Sequence, residues 1–457
     1  MIAGLRPYPA YRDSGVEWLG TIPSHWISQP GRAFYAEKNI PNSGLRESTV
    51  LSLSYGRLVV KPPHTLHGLV PASFETYQIV EPGDIVVRPT DLQNDWSSLR
   101  FALAKTLGII TSAYMCFQTT GTMTREYGHL LLHCYDLKKV FYGLGSGLRQ
   151  NLDWGDFKYL PCICPPSTEQ AAIVRFLDDA DRRIQRAITL KEKRIALLEE
   201  QKQAIVQQAV TGQIDVQTGK PFPAYKDSGA TWLGRVPEPW TVVALRRVTR
   251  SRCDGPFGSG LKSSHYTTNG VRVVRLQNIG HGEFKEENAT YVSEEHCAAL
   301  GDHSVATGDL LIAGLGDNRH PSGRACVAPA TILPAMVKAD CFRFRLDTDC
   351  VDPQFVAHQL TATAAGASNF LSTGATRQRT NLQTTATRAI SFPGIAEQAL
   401  IVESITYSTS GIRSAADAAH RQIKHLNEYR ARLISDVVTG KLDVRNAAAA
   451  LPETPAA

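Results

Sequence analysis

The chain has 457 residues, of which 43% are hydrophobic and 20% charged, and a formal net charge of +6. That length suggests two to four domains, and the composition excludes a disordered or fibrous chain. The mild basic excess suits a polyanionic partner without requiring one.

The nine cysteines are scattered and odd in number, with no Cys-x-x-Cys, so neither a disulfide framework nor a zinc site is expected. Cys162 and Cys164 read as two small buried side chains on a strand. No apolar run approaches membrane-spanning length, and the start of the chain lacks a signal-peptide pattern. A reduced, cytoplasmic protein without a membrane partner is the expectation.

In chain order, the first feature is residues 11–26, Tyr-Arg-Asp-Ser-Gly-Val-Glu-Trp-Leu-Gly-Thr-Ile-Pro-Ser-His-Trp, which returns at 225–240 with nine of sixteen positions identical. After the first copy comes a mixed region of short strands broken by Gly and Pro, running to about residue 166. Within it, Ile79 to Arg88 reads as a turn followed by a strand. Val305 to Ile312 reads as its counterpart in the second mixed region, which ends near residue 393. A helical segment follows each region. Glu169-Gln170 opens the first, which closes on Val210-Thr211-Gly212. Glu397-Gln398 opens the second, which closes on Val438-Thr439-Gly440.

Leu177, Ala180, Ile184, Ile188, Ile195, Leu198, Ile205 and Ala209 recur at helical spacing. So do Ile405, Ser408, Ile412, Ala416, Ile423, Leu426, Leu433 and Val437. A helix of about 40 residues spans about 60 Å, and so narrow a stripe needs a partner helix, most simply the other copy. Gly212 and Gly440 are expected as C-caps. Residues 406–411, Thr-Tyr-Ser-Thr-Ser-Gly, are poor helix formers, and a bend or loosening is expected there. The flanking charges read as solvated helix faces.

A long duplication implies two equivalent units and a pseudo-two-fold object. The expected fold is α+β: two similar mixed α/β domains held apart by a long antiparallel two-helix coiled coil. The expected boundaries are 1–166, 167–212, 213–393, 394–445 and a disordered tail at 446–457. A DNA duplex carries the same two-fold symmetry, which paired readers exploit.

No catalytic centre is expected. The Pro-Pro pairs at 62–63 and 165–166 lack the neighbours that an amino-methyltransferase needs. The glycine-rich stretches at 141–147 and 257–260 lack the strand-loop-helix setting of a cofactor loop, and no phosphate-binding Gly-Lys-Ser/Thr loop occurs. Glu283-Phe284-Lys285 has the Glu-x-Lys of a nuclease but no preceding Pro-Asp. A metal site is not expected either.

The chain resembles the specificity subunits of type I restriction-modification systems. The resemblance covers nearly everything to about residue 445. It is carried by Asp-Ser-Gly-x-x-Trp-Leu-Gly-x-Ile/Val-Pro at 13–23 and 227–237, by residues 255–262 and 270–279, and by the run from Leu160-Pro161 through Pro165-Pro166 to Glu169-Gln170. It implies two target-recognition domains, each reading half of a bipartite duplex sequence, with the helix pair as a ruler. It implies two modification subunits that methylate adenine N6 with S-adenosylmethionine. Restriction subunits that use ATP and Mg can join them. The chain itself would do no chemistry, would carry no cofactor and would act in a prokaryotic cytoplasm. Two other classes compete: a self-contained nuclease or methyltransferase, and a coiled-coil scaffold with no DNA role.

Reading bases takes Arg or Lys for guanine and Asn or Gln for adenine; phosphates take Lys, Arg and small polar donors. The candidates in the first region are Arg88, Gln93, Asn94, Arg100, Arg149 and Gln150. In the second they are Lys262, Ser263, Arg275, Gln277, Asn278, Asn318, Arg319, Arg377, Gln378 and Arg379, with Arg275 and Gln277 expected on one strand face. Residues 149–152 align with 379–382. In the repeated blocks, packing is the default role of Trp18, Leu19, Trp232 and Leu233, and docking of a modification subunit is the sharper alternative.

Overall fold

The computed structural model describes residues 5–62, 73–144, 150–317, 319–371 and 378–452, without the side chains of residues 259 and 371. The chain forms two compact units, Met1–Lys191 with His420–Ala457, and Glu192–Ala419. Two 44-residue helices, Ser167–Val210 and Ile395–Val438, contribute to both. At 1.5 Å per residue each is about 66 Å long.

In the first unit the two helices run antiparallel: Asp181 pairs with Arg430 and Lys191 with Gln422, so numbers rise on one as they fall on the other. Leu177, Leu433, Val437 and Val438 share one buried core with the domain beside them. In the second unit the end of the first helix meets the start of the second, through Val206, Ala209, Val210, Ile401 and Ile405.

Both units are built on one plan. Each has a four-stranded antiparallel sheet in the same order. In the first unit the strands are Tyr35–Lys38, Met115–Thr119, Ile85–Val87 and Phe101–Leu103. In the second they are Thr249–Cys253, Cys341–Leu346, Leu310–Ala313 and Ala325–Val327. A strand leading into each long helix pairs back to the start of its domain, Pro161–Cys164 with Ile27–Pro30 and Ala389–Phe392 with Thr241–Ala244. The second unit adds a five-stranded sheet with its own core. In the first, the hairpin Leu51–Ser54 with Arg57–Val60 and the pair Gln78–Val80 with Gly108–Ile110 sit at the same stage of the chain.

The repeated sequence blocks are the mortar of this plan. Trp26 Nε1 donates to Glu169 (3.0 Å) and Trp240 Nε1 to Glu397 (3.3 Å). The adjacent glutamines are fully buried and tie the helix start to a second helix N-cap. Gln170 donates to Pro165 O and Thr122 O and accepts from Thr124 N; Gln398 donates to Pro393 O and Cys350 O and accepts from Asp352 N. Thr124 and Asp352 cap the helices Arg125–Leu137 and Pro353–Ala362. The Tyr11 hydroxyl donates to Gly440 O and that of Tyr225 to Gly212 O, both at 3.1 Å.

Gly212 and Gly440 close the long helices at φ +69° and +75°. Gly212 N bonds Ala209 O and Gln213 N bonds Gln208 O, with the same two bonds from Gly440 and Lys441. This paired pattern is the C-terminal lock that a left-handed residue makes possible. The loosening expected at residues 406–411 is absent: the helix is continuous from Ile395 to Val438. The Thr406, Thr409 and Ser410 hydroxyls bond back to Val402 O, Ile405 O and Tyr407 O, which removes their competition with the helix. The stripe also runs one position later than expected there, with Thr409 buried and Ser408 exposed.

Candidate nucleic-acid interface

In the first unit the expected polar loop leaves the strand Ile85–Val87 and returns in Phe101–Leu103. Arg100, the last loop residue, is fully buried. Its guanidinium donates to the carbonyls of Arg88, Thr90, Asp91 and Asp95, and its Nε to the Tyr142 hydroxyl. Its charge also lies over the Tyr142 ring, 5.2 Å from the centroid. As an expected DNA contact Arg100 is therefore corrected: its donors are spent inside the protein, on four carbonyls of the loop and on the Tyr142 hydroxyl.

The other candidates ride on that frame. Gln93 and Asn94 are exposed, and Asn94 Nδ2 donates to Asp91 Oδ1. Arg88 is half-buried and pairs with Asp95 at 3.3 Å. Hydrogen bonding from the Ser98 side chain, and then from its amide, holds the Asp95 carboxyl down at about 2, so it stays ionised. Trp96, 56% exposed, stacks on Tyr142 with 4.6 Å between ring centroids. The segment carrying Gln150 joins in, since Asn151 Oδ1 accepts from Asp91 N and Leu152 N donates to Pro89 O. Arg149 lies outside the described residues.

In the second unit three candidate segments meet around Arg324, which sequence reasoning did not select. It precedes the strand Ala325–Val327 as Arg100 precedes Phe101–Leu103, and it is 5% exposed. Its guanidinium donates to the carbonyls of Leu276, Ile279, Leu315, His320 and Pro321. A short ladder, Leu315–Gly316 with Gln378–Arg379, brings in the third segment. The buried Arg388 fixes the loop's far end by donating to Gly323 O. Burial lowers the Arg388 guanidinium to about 9, which leaves it charged at neutral pH.

The strand face expected for Arg275 and Gln277 does not form. The strand Val271–Val274 ends first, and Leu276–Asn278 is a tight turn. Asn278 is fully buried: its Oδ1 accepts from Arg275 N, and its Nδ2 donates to Lys285 O and Glu287 O. It too shapes a turn instead of reaching outward. Gln277, Arg319 and Arg379 are exposed and Gln378 is half-buried, with Arg379 paired to Asp340 at 3.0 Å. Arg275 donates to Asn288 O. Lys262 and Ser263 are exposed on a separate turn. Asn318 and Arg377 lie outside the described residues. The expected alignment of 149–152 with 379–382 slips by two: Asp153 and Asn381 are the matching caps, of the helices Trp154–Lys158 and Leu382–Thr387.

Leu19 and Leu233 are buried in their own units. Trp18 stacks edge-on against Tyr135 at 4.7 Å, and Trp232 Nε1 donates to Ala389 O. The Glu283 carboxylate of the Glu-x-Lys string is held by Lys202 and Arg413. His129 and His133, four residues apart on one helix, escaped the sequence reading. Burial lowers them to about 4 and about 3, so both stay neutral. No group of three or more His, Cys, Asp or Glu able to hold a metal ion occurs among the described residues. Nor does any helix among them have the length and apolarity to cross a membrane.

No protein-family model matches the chain. Over 306 residues it is 22% identical to the type I restriction enzyme MjaVIII specificity subunit of Methanocaldococcus jannaschii. The match spans 66% of each chain, a little under two thirds of that relative's length. Among solved structures, it is similar to a chain described for the complex assembly and conformational transition of the type I R-M system. There the TM-score is 0.58 and the identity 14%, over 91% of this chain and 98% of the other. The HsdS subunit of Thermoanaerobacter tengcongensis gives a TM-score of 0.41 and 14% identity over 92% and 98%. Two β-rich domains with a pair of long packed helices make this an α+β architecture shared with the first of these structures. The chain thus shares the fold of that solved structure and has a sequence likeness to one type I specificity subunit.

Proposed function

We propose that this chain gives a type I restriction-modification complex its DNA sequence specificity and performs no catalysis itself. Each β-rich domain, within residues 1–166 and 213–393, reads one half of a bipartite duplex target, and the helix pair sets the spacer. Modification subunits bound to it supply S-adenosylmethionine and methylate adenine N6. Restriction subunits, where they join, supply ATP- and Mg-dependent cleavage.

The observation that carries this reading is the contrast within the plan. The scaffold contacts of Trp26, Glu169, Gln170 and Gly440 recur at Trp240, Glu397, Gln398 and Gly212, while the loops after Ile85–Val87 and Leu310–Ala313 differ in length and sequence. One frame that carries two different loops is what two readers of different half-targets require. The contact set is Arg88, Gln93, Asn94, Arg149 and Gln150 for one half. For the other it is Lys262, Ser263, Arg275, Gln277, Asn318, Arg319, Arg377, Gln378 and Arg379. Two copies of the Trp-Leu block fit two modification subunits, with the half-buried Trp18 and Trp232 as the reachable parts.

The test is methylation mapping of cells that express the chain with its modification subunits. A two-part adenine-methylated motif is expected. Replacing residues 27–166 with another member's region should change one half only, and adding one heptad to both helices should lengthen the spacer. A continuous motif, or a change in both halves, would overturn the reading.

A further inference from the structure

We infer that Arg100 and Arg324 are positioning residues for sequence recognition, each holding its reading loop in one shape from inside the protein. The inference rests on the reading above. It assigns a specificity role to two side chains that themselves touch no DNA.

Three observations carry it. First, the two arginines occupy one topological position, the residue before the edge strand of equivalent four-stranded sheets. Second, both guanidiniums are buried and donate almost wholly to main-chain carbonyls of the neighbouring loops, four for Arg100 and five for Arg324. Third, the loops they hold share little else. Residues 88–99 carry Trp96 stacked on Tyr142 and the Asp91–Asn94 bond, whereas the loop from Leu315 pairs with Gln378–Arg379.

A loop with unmatched carbonyls would have many conformations. A planar cation with five fixed N–H donors selects the one that satisfies them together. Recognition gains because the tip side chains meet base edges already in place, without paying for ordering on contact. The arginines thus account for how two divergent loops can both be precise readers. The frame is shared and deep, and only the tips change.

The side chains cannot contact bases or phosphates in this arrangement, and this separates the inference from a phosphate-binding role. A phosphate contact would change affinity uniformly across sequences and lower the salt slope. A loop-holding role loosens discrimination in one half-target and leaves the salt slope alone.

The experiment uses the full chain assembled with its modification subunits. Arg100→Lys and Arg324→Lys keep the charge but cannot satisfy four or five carbonyls. Methylation is mapped on a randomised-target DNA library, and the salt dependence of binding is measured alongside. Arg100→Lys should raise methylation at single-mismatch sites by about tenfold in one half-target, with the other half unchanged. Arg324→Lys should do the reverse. Hydrogen exchange should rise at residues 88–96 or 315–321 alone.

Should Arg100→Lys fail to assemble, Tyr142→Phe removes only the hydroxyl that meets Arg100 Nε and Asp95 O. It should relax the same half more weakly. Unchanged discrimination with a shallower salt slope would overturn the inference, as would equal relaxation of both halves. A wild-type complex with no bipartite motif would instead sink the functional reading beneath it.

Discussion

Replacing Gly440 with Ala tests the claim that the repeated sequence blocks are structural joints. Gly440 sits at φ +75°, where any other residue costs about 1–2 kcal/mol. A Cβ built there would also overlap the Pro23 ring and lie 3.0 Å from the Trp26 side chain. Both belong to the repeated block, and Trp26 is 2% exposed, so neither can yield cheaply. Overpacking of that kind adds about 1–3 kcal/mol, for a total of about 2–5 kcal/mol. Gly20→Ala is the control. Its φ is +71°, but nothing lies within 4 Å of the new Cβ, so it carries the backbone cost alone. Gly212→Ala repeats the experiment in the second unit, against Pro237 and Trp240. Urea unfolding followed by Trp fluorescence, with hydrogen exchange to locate the loss, measures all three. The two joint variants should lose clearly more stability than Gly20→Ala, each in its own unit. If Gly440→Ala and Gly20→Ala proved equally stable, the joint would be too loose for this role and the packing argument would fail.

Further outcomes follow from the same frame. Gln170→Ala leaves Thr124 N and Thr122 O without this partner, and Pro165 O with only the weak Cys164 thiol, in a buried site and should cost about 3 kcal/mol or more; a loss below about 1 kcal/mol in chemical denaturation would contradict this. Leu433→Ala should cost about 2–4 kcal/mol because Leu433 is buried in the helix pair. Arg430→Ala, which breaks a partly exposed ion pair, should cost under about 1 kcal/mol; the reverse order would mean that charge, not the apolar stripe, holds the helices. Asp254 is raised to about 6, first by burial. Its protonated form is thus favoured in the folded state, and stability falls as pH rises from about 4 through about 6. Asp254→Asn should flatten that slope and leave the protein at least as stable at pH 7.5, as thermal melts across this range would show.

The sequence was most readable where residues act along the chain. The duplicated Trp-Leu-Gly-x-Ile/Val-Pro blocks, the two apolar stripes and the glycine caps all rest on local periodicity and backbone sign, and each is present in the structure, the second stripe with Thr409 buried in place of Ser408. It was least readable where one side chain serves many distant partners. Arg100 looked like a DNA contact because an arginine at the end of a polar loop is usually solvated; only the fold brings four carbonyls around it. Asn278 misled in the same way, and Arg324 drew no notice although the comparison with Arg100 was available in the sequence. Thr406 to Ser410 misled in the opposite sense, since helix propensity does not count the hydroxyl bonds back to carbonyls four or three residues earlier. These misreadings share one cause. Polar residues were judged by exposure expected from type, whereas here the most consequential polar groups are internal. On the proposed function, that has a consequence for how specificity diverges. If buried arginines hold the loops through main-chain carbonyls, then loop side chains can be exchanged without disturbing the hold, because every residue type offers the same carbonyl. Exposed Gln93, Asn94, Gln277 and Arg319 are free to vary, and a new target costs the frame little.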